Sequence, residues 1–244
     1  MKVKIKLLYL FIIGILHYNS EAQNLQITYG ISSSGLLSEE QKQEVSSATL
    51  NYFKKAEENY KYVNFIMNIS GDRCDFELKE IMMREGVSST ATSPIQIGFN
   101  GRYFSEAETG ESLHQWDGYG QTFLISSSLN KLEWQISRES KMVVGFKTYK
   151  ATAEETYETG SGKEKWIITA WFAPEINKPF GPGGYGGLPG LILELERARK
   201  IYTAKEIKKV EPVEILKPKK GKKITREEFD NLGRKMNELR SSYN

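Results

Sequence analysis

Histidine and cysteine are nearly missing from this chain. Of 244 residues, two are histidine (His17 and His114) and one is cysteine, Cys74. A lone cysteine cannot close an internal disulfide, so core burial rather than covalent staples must hold the fold. Cys74 is then either a small buried apolar residue or a handle for an intermolecular bond. One histidine with one cysteine falls short of the nitrogen and sulfur ligands that zinc takes, so no metal is expected, nor any other cofactor. Asp72-Arg73-Cys74-Asp75 lacks EF-hand spacing and reads as a turn. Serine–histidine or cysteine–histidine catalysis would rest on His114, and no Gly-x-Ser-x-Gly accompanies it.

Charge of one sign is also scarce. Thirty-four basic residues face thirty-one acidic ones, for a net charge of +3. Nothing in that balance speaks for nucleic acid or a membrane surface as a partner. Long apolar runs are absent after the N-terminus, so no transmembrane segment is expected in the body of the protein.

The N-terminus itself reads as a secretory leader. Lys2, Lys4 and Lys6 precede an apolar run from Leu7 to Leu16, and Ser20-Glu21-Ala22 offers small residues at a cleavage site. Residues 1–22 are assigned to this signal peptide, with Gln23 first in the exported chain. Its removal takes three lysines and Glu21, which lowers the formal charge from +3 to +1 and leaves His114 as the remaining histidine. The product is expected in the periplasm or outside the cell.

Periodicity sets the organisation of the rest. Residues 24–29 alternate as an opening strand. A helix follows from Ser38, which with Gln41 makes a capping box, and its apolar residues recur as Val45, Ala48, Tyr52, Phe53, Ala56 and Tyr60. Val63 to Leu78 forms a hairpin about Ser70-Gly71-Asp72. Residues 84–94 are expected to be a mobile loop, and strand character resumes from Pro94 to Phe104. The stretch Glu106 to Gly120, with His114, Trp116, Asp117 and Tyr119, reads as a second loop of mixed aromatic and polar residues. Strands are expected at 132–136, 142–149 and 151–157, the last paired with 165–172. A final hairpin joins 191–195 to 201–207. After Pro212 and Pro218 a basic linker, 217–223, precedes a terminal helix capped by Thr225 and Glu228. Phe229, Leu232, Met236 and Leu239 form its apolar stripe. The fold class is a β-rich α+β protein with a curved, mainly antiparallel sheet, half-barrel or bowl-like. Residues 23–223 form a single domain with an N-terminal helix, and the helix of residues 224–244 packs on it.

The most distinctive stretch runs from Gly181 to Leu195. A loop of glycine and proline with Tyr185 as its one large side chain passes through Leu188-Pro189-Gly190-Leu191 into an apolar strand. Proline then glycine at the centre is what a type II turn prefers. A strand, not a helix, comes next, and no Gly-Lys-Ser/Thr is present, which argues against a phosphate loop. Two readings stay open: the glycines let backbone pack closely under a sheet, or they wall a recess beside Tyr185. Residues Gly187 to Ile192 spell GLPGLI, and the chain resembles the GLPGLI family of secreted proteins of Gram-negative bacteria. Trp171-Phe172-Ala173-Pro174-Glu175-Ile176, the Gly181-Pro182 step and the segment from Lys217 to Phe229 extend the likeness. Where members often carry a cysteine before Lys-Ala-Thr, this chain has Thr148. The resemblance implies export and a class of protein, not a reaction.

The residues point to a non-catalytic envelope protein, a monomer that binds a hydrophobic ligand, a peptide or an envelope protein. Tyr185, Gly186, Gly187, Leu188, Pro189, Gly190, Trp171, Glu175 and Trp116 are the candidate binding residues. A carboxylate-dependent hydrolase of glycan or peptide is the alternative, although the spacing of Asp117, Glu133, Glu175 and Glu194 singles out no pair. An accessory subunit of an outer-membrane receptor is a further one.

Overall fold

The computed structural model describes residues 24–79, 98–159 and 162–242. The leader, the loop at 84–94, the first residues of the strand expected from Pro94 and the turn at Gly160-Ser161 lie outside the described residues. The body is one open, curved sheet, mainly antiparallel, with three helices. This is the β-rich class that the alternating segments imply. β1 (Leu25–Ser33) runs through its middle, and two meanders spread from it. On one side lie β2 (Asn64–Ser70), β3 (Arg73–Leu78), β4 (Arg102–Glu106), β5 (Glu111–Gly118) and β6 (Gln121–Ser128), in that order. On the other lie β11 (Lys200–Lys209), β10 (Leu191–Arg197), β9 (Gly162–Ala173), β8 (Phe146–Thr159) and β7 (Gln135–Val143). The hairpins β2–β3, β8–β9 and β10–β11 fall where period-two alternation puts them.

Alternation also decides the two faces. Ile27, Tyr29, Phe65, Met67, Phe76, Phe172, Leu195 and Tyr202 share the inner face and are buried. There the rings close on one another: Phe65 stacks on Phe76 at 5.1 Å, and Phe99 lies 4.4 Å from Tyr202. The concave side is therefore a packed aromatic core rather than an open apolar bowl. Burying such rings is worth about 1.5–3 kcal/mol each, which is why they set the curvature. Cys74 is part of this core, and burial, aided by the neighbouring Asp75, holds its thiol pKa well above the usual range. Thr148 is fully buried as well and donates its hydroxyl to the Lys141 carbonyl at 2.9 Å.

Four elements differ from the sequence reading. The first helix is two: α1 (Glu39–Glu44) keeps the Ser38–Gln41 capping box, but Val45 is extended and Ser46 caps a second helix, α2 (Ser47–Asn59). The stretch 106–120 is not a loop, because it carries β5. Its inward residues are Ser112, His114 and Trp116, so polar side chains interrupt the apolar face and mask the strand. Strand β7 begins later than expected and turns into β8 at Val144-Gly145, both at positive φ, as a two-residue hairpin loop requires. The basic linker 217–223 runs into β12 (Lys222–Thr225), which pairs in parallel with β6 and closes that edge of the sheet with lysines. Just before it, Ile215 packs on Phe104, Leu113 and Leu124 on the outer face. The chain thus crosses the outside of the sheet, rounds its edge and enters α3 (Arg226–Ser242) on the inner side, where Phe229 meets Trp116 and Phe123. Thr225 and Glu228 form the capping pair expected there. Among the described residues no helix is long and apolar enough to cross a membrane.

The Pro-Gly corner exists but is tighter than a type II turn. The Gly190 N–H bonds back to the Leu188 carbonyl at 2.8 Å, a three-residue γ-turn centred on Pro189. Gly190 sits at φ +155°, and a Cβ there would stand 2.4 Å from the Ala173 carbonyl oxygen and 2.8 Å from Pro174 Cα. Neither neighbour is a side chain that can swing away. Gly190→Val should therefore cost about 3 kcal/mol or more, read as a fall of about 6–12 °C in Tm; an unchanged Tm would refute the corner described.

Candidate functional site

The glycine loop lies under the sheet, not on its surface. Phe180 to Gly186 are all buried, and Phe180 and Gly186 bridge each other. Gly183, at φ +64°, faces the Phe99 ring so closely that a Cβ would come within 2.1 Å of it. Gly186 offers its carbonyl to the indole N–H of Trp134 at 2.9 Å. Close backbone packing is seen at Gly183 and Gly186, and Gly183 also borders a recess beside Tyr185. The consequence of the packing is to place Tyr185, 2% exposed, with its hydroxyl donating to Glu155 Oε2.

Glu155 is the hub on which the neighbouring charges converge. It belongs to the inward-facing row Ala151, Ala153, Glu155 of β8, with its side chain only 15% exposed. An ionised carboxylate there costs several kcal/mol unless paired. Lys131 Nζ lies 3.0 Å from Oε1 and Arg197 Nε 3.4 Å from Oε2. Lys131 also stands 4.1 Å over the Tyr185 ring. Burial pushes the Glu155 pKa up, but Lys131, Arg197 and the two side-chain hydrogen bonds outweigh it and hold the carboxyl below its ordinary range. Burial pushes the Tyr185 hydroxyl well up, so it remains a donor.

This group forms the floor of a cleft of about 440 Å³ that opens beneath α3. Trp116 and Tyr119 from β5 and its turn line one wall, and Phe229 from the first turn of α3 lies 5.0 Å from the Trp116 ring. Arg226 and Asp230 reach in from the same helix. Burial raises the Asp230 pKa; Arg226 opposes this and Glu155 adds to it. A larger and more open recess elsewhere is lined by Lys165, Glu196, Arg199 and Lys200, with Trp166 as the one aromatic ring among its described lining residues.

His114 borders the cleft but is built as a strut. Its ring stacks on Tyr103 at 4.0 Å and 7° between planes. Nε2 lies 2.7 Å from the Asn100 carbonyl, which makes it the protonated nitrogen, and Nδ1 faces Arg226 at 3.4 Å. Burial, then the Arg226 charge, lowers its pKa to about 3.

The residues singled out from sequence are not all brought together. Tyr185 and Trp116 line the cleft. Leu188 and Gly190 are buried in the core, Gly186 packs against Leu129 and Pro179, and Gly187 and Pro189 are exposed beside the corner. Trp171 is on the opposite face of the sheet, with Lys141 Nζ 4.4 Å over its ring and Glu194 as its cross-strand neighbour. Glu175 is exposed in the turn after β9. Lys131, Glu155, Arg197, Arg226 and Asp230 belong to the cleft without standing out in the sequence. A signal exists for two of them: Glu155 continues the Ala151–Ala153 row, and Arg197 continues Leu193–Leu195, each a charge on an otherwise apolar face.

A family model described as a protein of unknown function (Porph_ging) matches residues 158–194, which include the glycine loop. No curated protein matches the sequence. Among solved structures the chain is similar to PNGF-II in a P21 space group, with a TM-score of 0.53 and 15% identity over 86% of this chain and 33% of that one. PNGF-II in a C2 space group gives 0.49 and 15%, over 79% and 29%. The chain spans about a third of the length of these structures, and the likeness is one of fold.

A buried neutral histidine makes stability depend on pH. The unfolded chain takes up a proton near pH 6.5, the folded one near 3, so stability falls as pH drops between the two, by about 1.4 kcal/mol per pH unit. Lowered carboxylates such as Glu155 respond only below their own unfolded values, near 4.5. Between pH 6.5 and 5 about 1.6 kcal/mol is lost, because the unfolded histidine is half protonated at the upper limit, and Tm should fall by about 3–6 °C. His114→Gln should flatten that slope; an equal slope in both proteins would contradict the neutral strut.

Proposed function

We propose that this is an exported envelope protein of the GLPGLI family that works by binding, and that its ligand enters the cleft between α3 and the sheet. The observation that carries the reading is the pairing of an aromatic wall (Trp116, Tyr119 and Phe229) with a charged floor (Lys131, Glu155 and Arg197) in one open recess. Ligand sites combine apolar lining with a few placed polar groups in this way. The leader-like residues 1–22 and the signature at 187–192 support export and the family. His114, the histidine left after the leader, is committed to Asn100 and Arg226.

A second reading has one observation in its favour. Glu155 and Asp230 line the same cleft, and their pKa values move apart, Glu155 down and Asp230 up. That split is what a base and an acid need in a hydrolase of glycan or peptide.

Expression in a Gram-negative host with the native leader tests both readings. The protein recovered from the periplasm or medium should begin at Gln23. In native mass spectrometry it should carry an extra mass that denaturation releases and Trp116→Ala loses. Glycan or peptide cleavage abolished by Asp230→Asn, with no bound mass in the wild type, would replace binding by hydrolysis.

A further inference from the structure

Basic side chains outnumber acidic ones among the described residues of the cleft. Among the described residues that line it, Lys131, Arg197 and Arg226 carry positive charge against the carboxylates of Glu155 and Asp230, while His114 is neutral. Glu155 is already held by Lys131, Arg197 and Tyr185, and Asp230 lies 3.8 Å from Arg226. Three cationic side chains thus converge in a recess partly withdrawn from water, where their mutual repulsion is strong. Above it stand three aromatic rings that offer a flat apolar surface: Trp116 is 5.4 Å from Tyr119 and 5.0 Å from Phe229.

Building on the binding reading, we propose that the cleft takes a small organic anion, with its acidic group among Lys131, Arg197 and Arg226 and its flat apolar part against Trp116, Tyr119 and Phe229. Carboxylate, phosphate and sulfate esters share this chemistry. A guanidinium suits such a group because its planar fork matches two oxygens at once. The electrostatics agree with the geometry. Burial lowers the Lys131 pKa, and Arg226 and Arg197 lower it further against the pull of Glu155. Arg226 acts on His114 in the same direction. An arriving anion relieves this mutual repulsion, and a neutral ligand of the same shape does not. The same reasoning makes α3 part of the site, because Arg226 and Phe229 both come from its first turn.

Two fluorescent probes separate charge from shape. Anilinonaphthalene sulfonate and phenylnaphthylamine share one ring system, and only the first bears an anion. Titrated into the full chain at low salt, the sulfonate should bind at least about tenfold more tightly, and added salt should narrow the gap. Lys131→Met should remove most of the preference. Arg226→Gln, on the partly exposed first turn of α3, should weaken it and serves as the second variant should Lys131→Met unfold in a melt. Equal or tighter binding of the neutral probe would overturn the anion and leave an apolar site in the same cleft. Should neither probe bind, the binding reading falls with it.

Discussion

Glu155 can be ionised inside this protein only because three separate parts of the chain converge on it. Lys131 comes from the connection between β6 and β7, Arg197 from the end of β10 and Tyr185 from the glycine loop. A carboxylate withdrawn from water is a large local penalty, and each partner removed leaves more of it uncompensated. This makes the cluster a constraint on assembly: β8, β10 and the loop must all reach their places before the charge is stabilised. The glycines answer the same requirement. Tyr185 reaches Glu155 only if the loop runs close under Phe99 and Ser112, and Gly183 and Gly184 sit where any Cβ would strike those side chains. The glycine loop that precedes the signature is thus an internal strut whose far end is a hydrogen bond in the cleft.

Having satisfied the floor, the fold covers it. The C-terminal chain crosses the outer face at Ile215, adds β12 in parallel to β6 and turns α3 back over the inner side. Phe229 then stands against Trp116, and Arg226 against His114. The histidine is neutral because burial, with the Arg226 charge adding to it, disfavours its protonated form, and its Nε2–H fixes the segment that carries Phe99. Core, cleft and helix are linked through Phe99, Tyr103 and His114, a row of rings that starts on β2 and ends at the cleft wall.

Much of the scaffold is legible from residues in order. Hairpins with clean alternation can be read directly, as can both capping boxes, because each is a local rule. The corner at Gly190 is legible in place, although its hydrogen bond closes three residues rather than four. What stays hidden depends on partners far apart in sequence. β5 carries Ser112 and His114 inward, where Ser105 and Tyr103 meet them across the ladder, so its polarity looks like a loop. β12 has one apolar residue, Ile224, after two lysines suited to an edge. Ser46 is a second cap by residue type, but the helical period running from Val45 to Ala48 masks the break. The cleft is not legible because its charges come from residues 131, 155, 197, 226 and 230. Only the sheet brings them together. Trp171 stands out as an aromatic near the signature, yet strand parity sends it to the other face.

The central claim is that Glu155 and Tyr185 are coupled, so that the glycine loop and the cleft are one unit. A double-mutant cycle measures this directly, with Glu155→Gln, Tyr185→Phe and the pair compared by urea unfolding at pH 7. The account predicts a coupling of about 1 kcal/mol or more, since a hydrogen bond to a buried charge is worth about 1.5–3 kcal/mol. Strictly additive losses would contradict it and reduce the loop to packing alone.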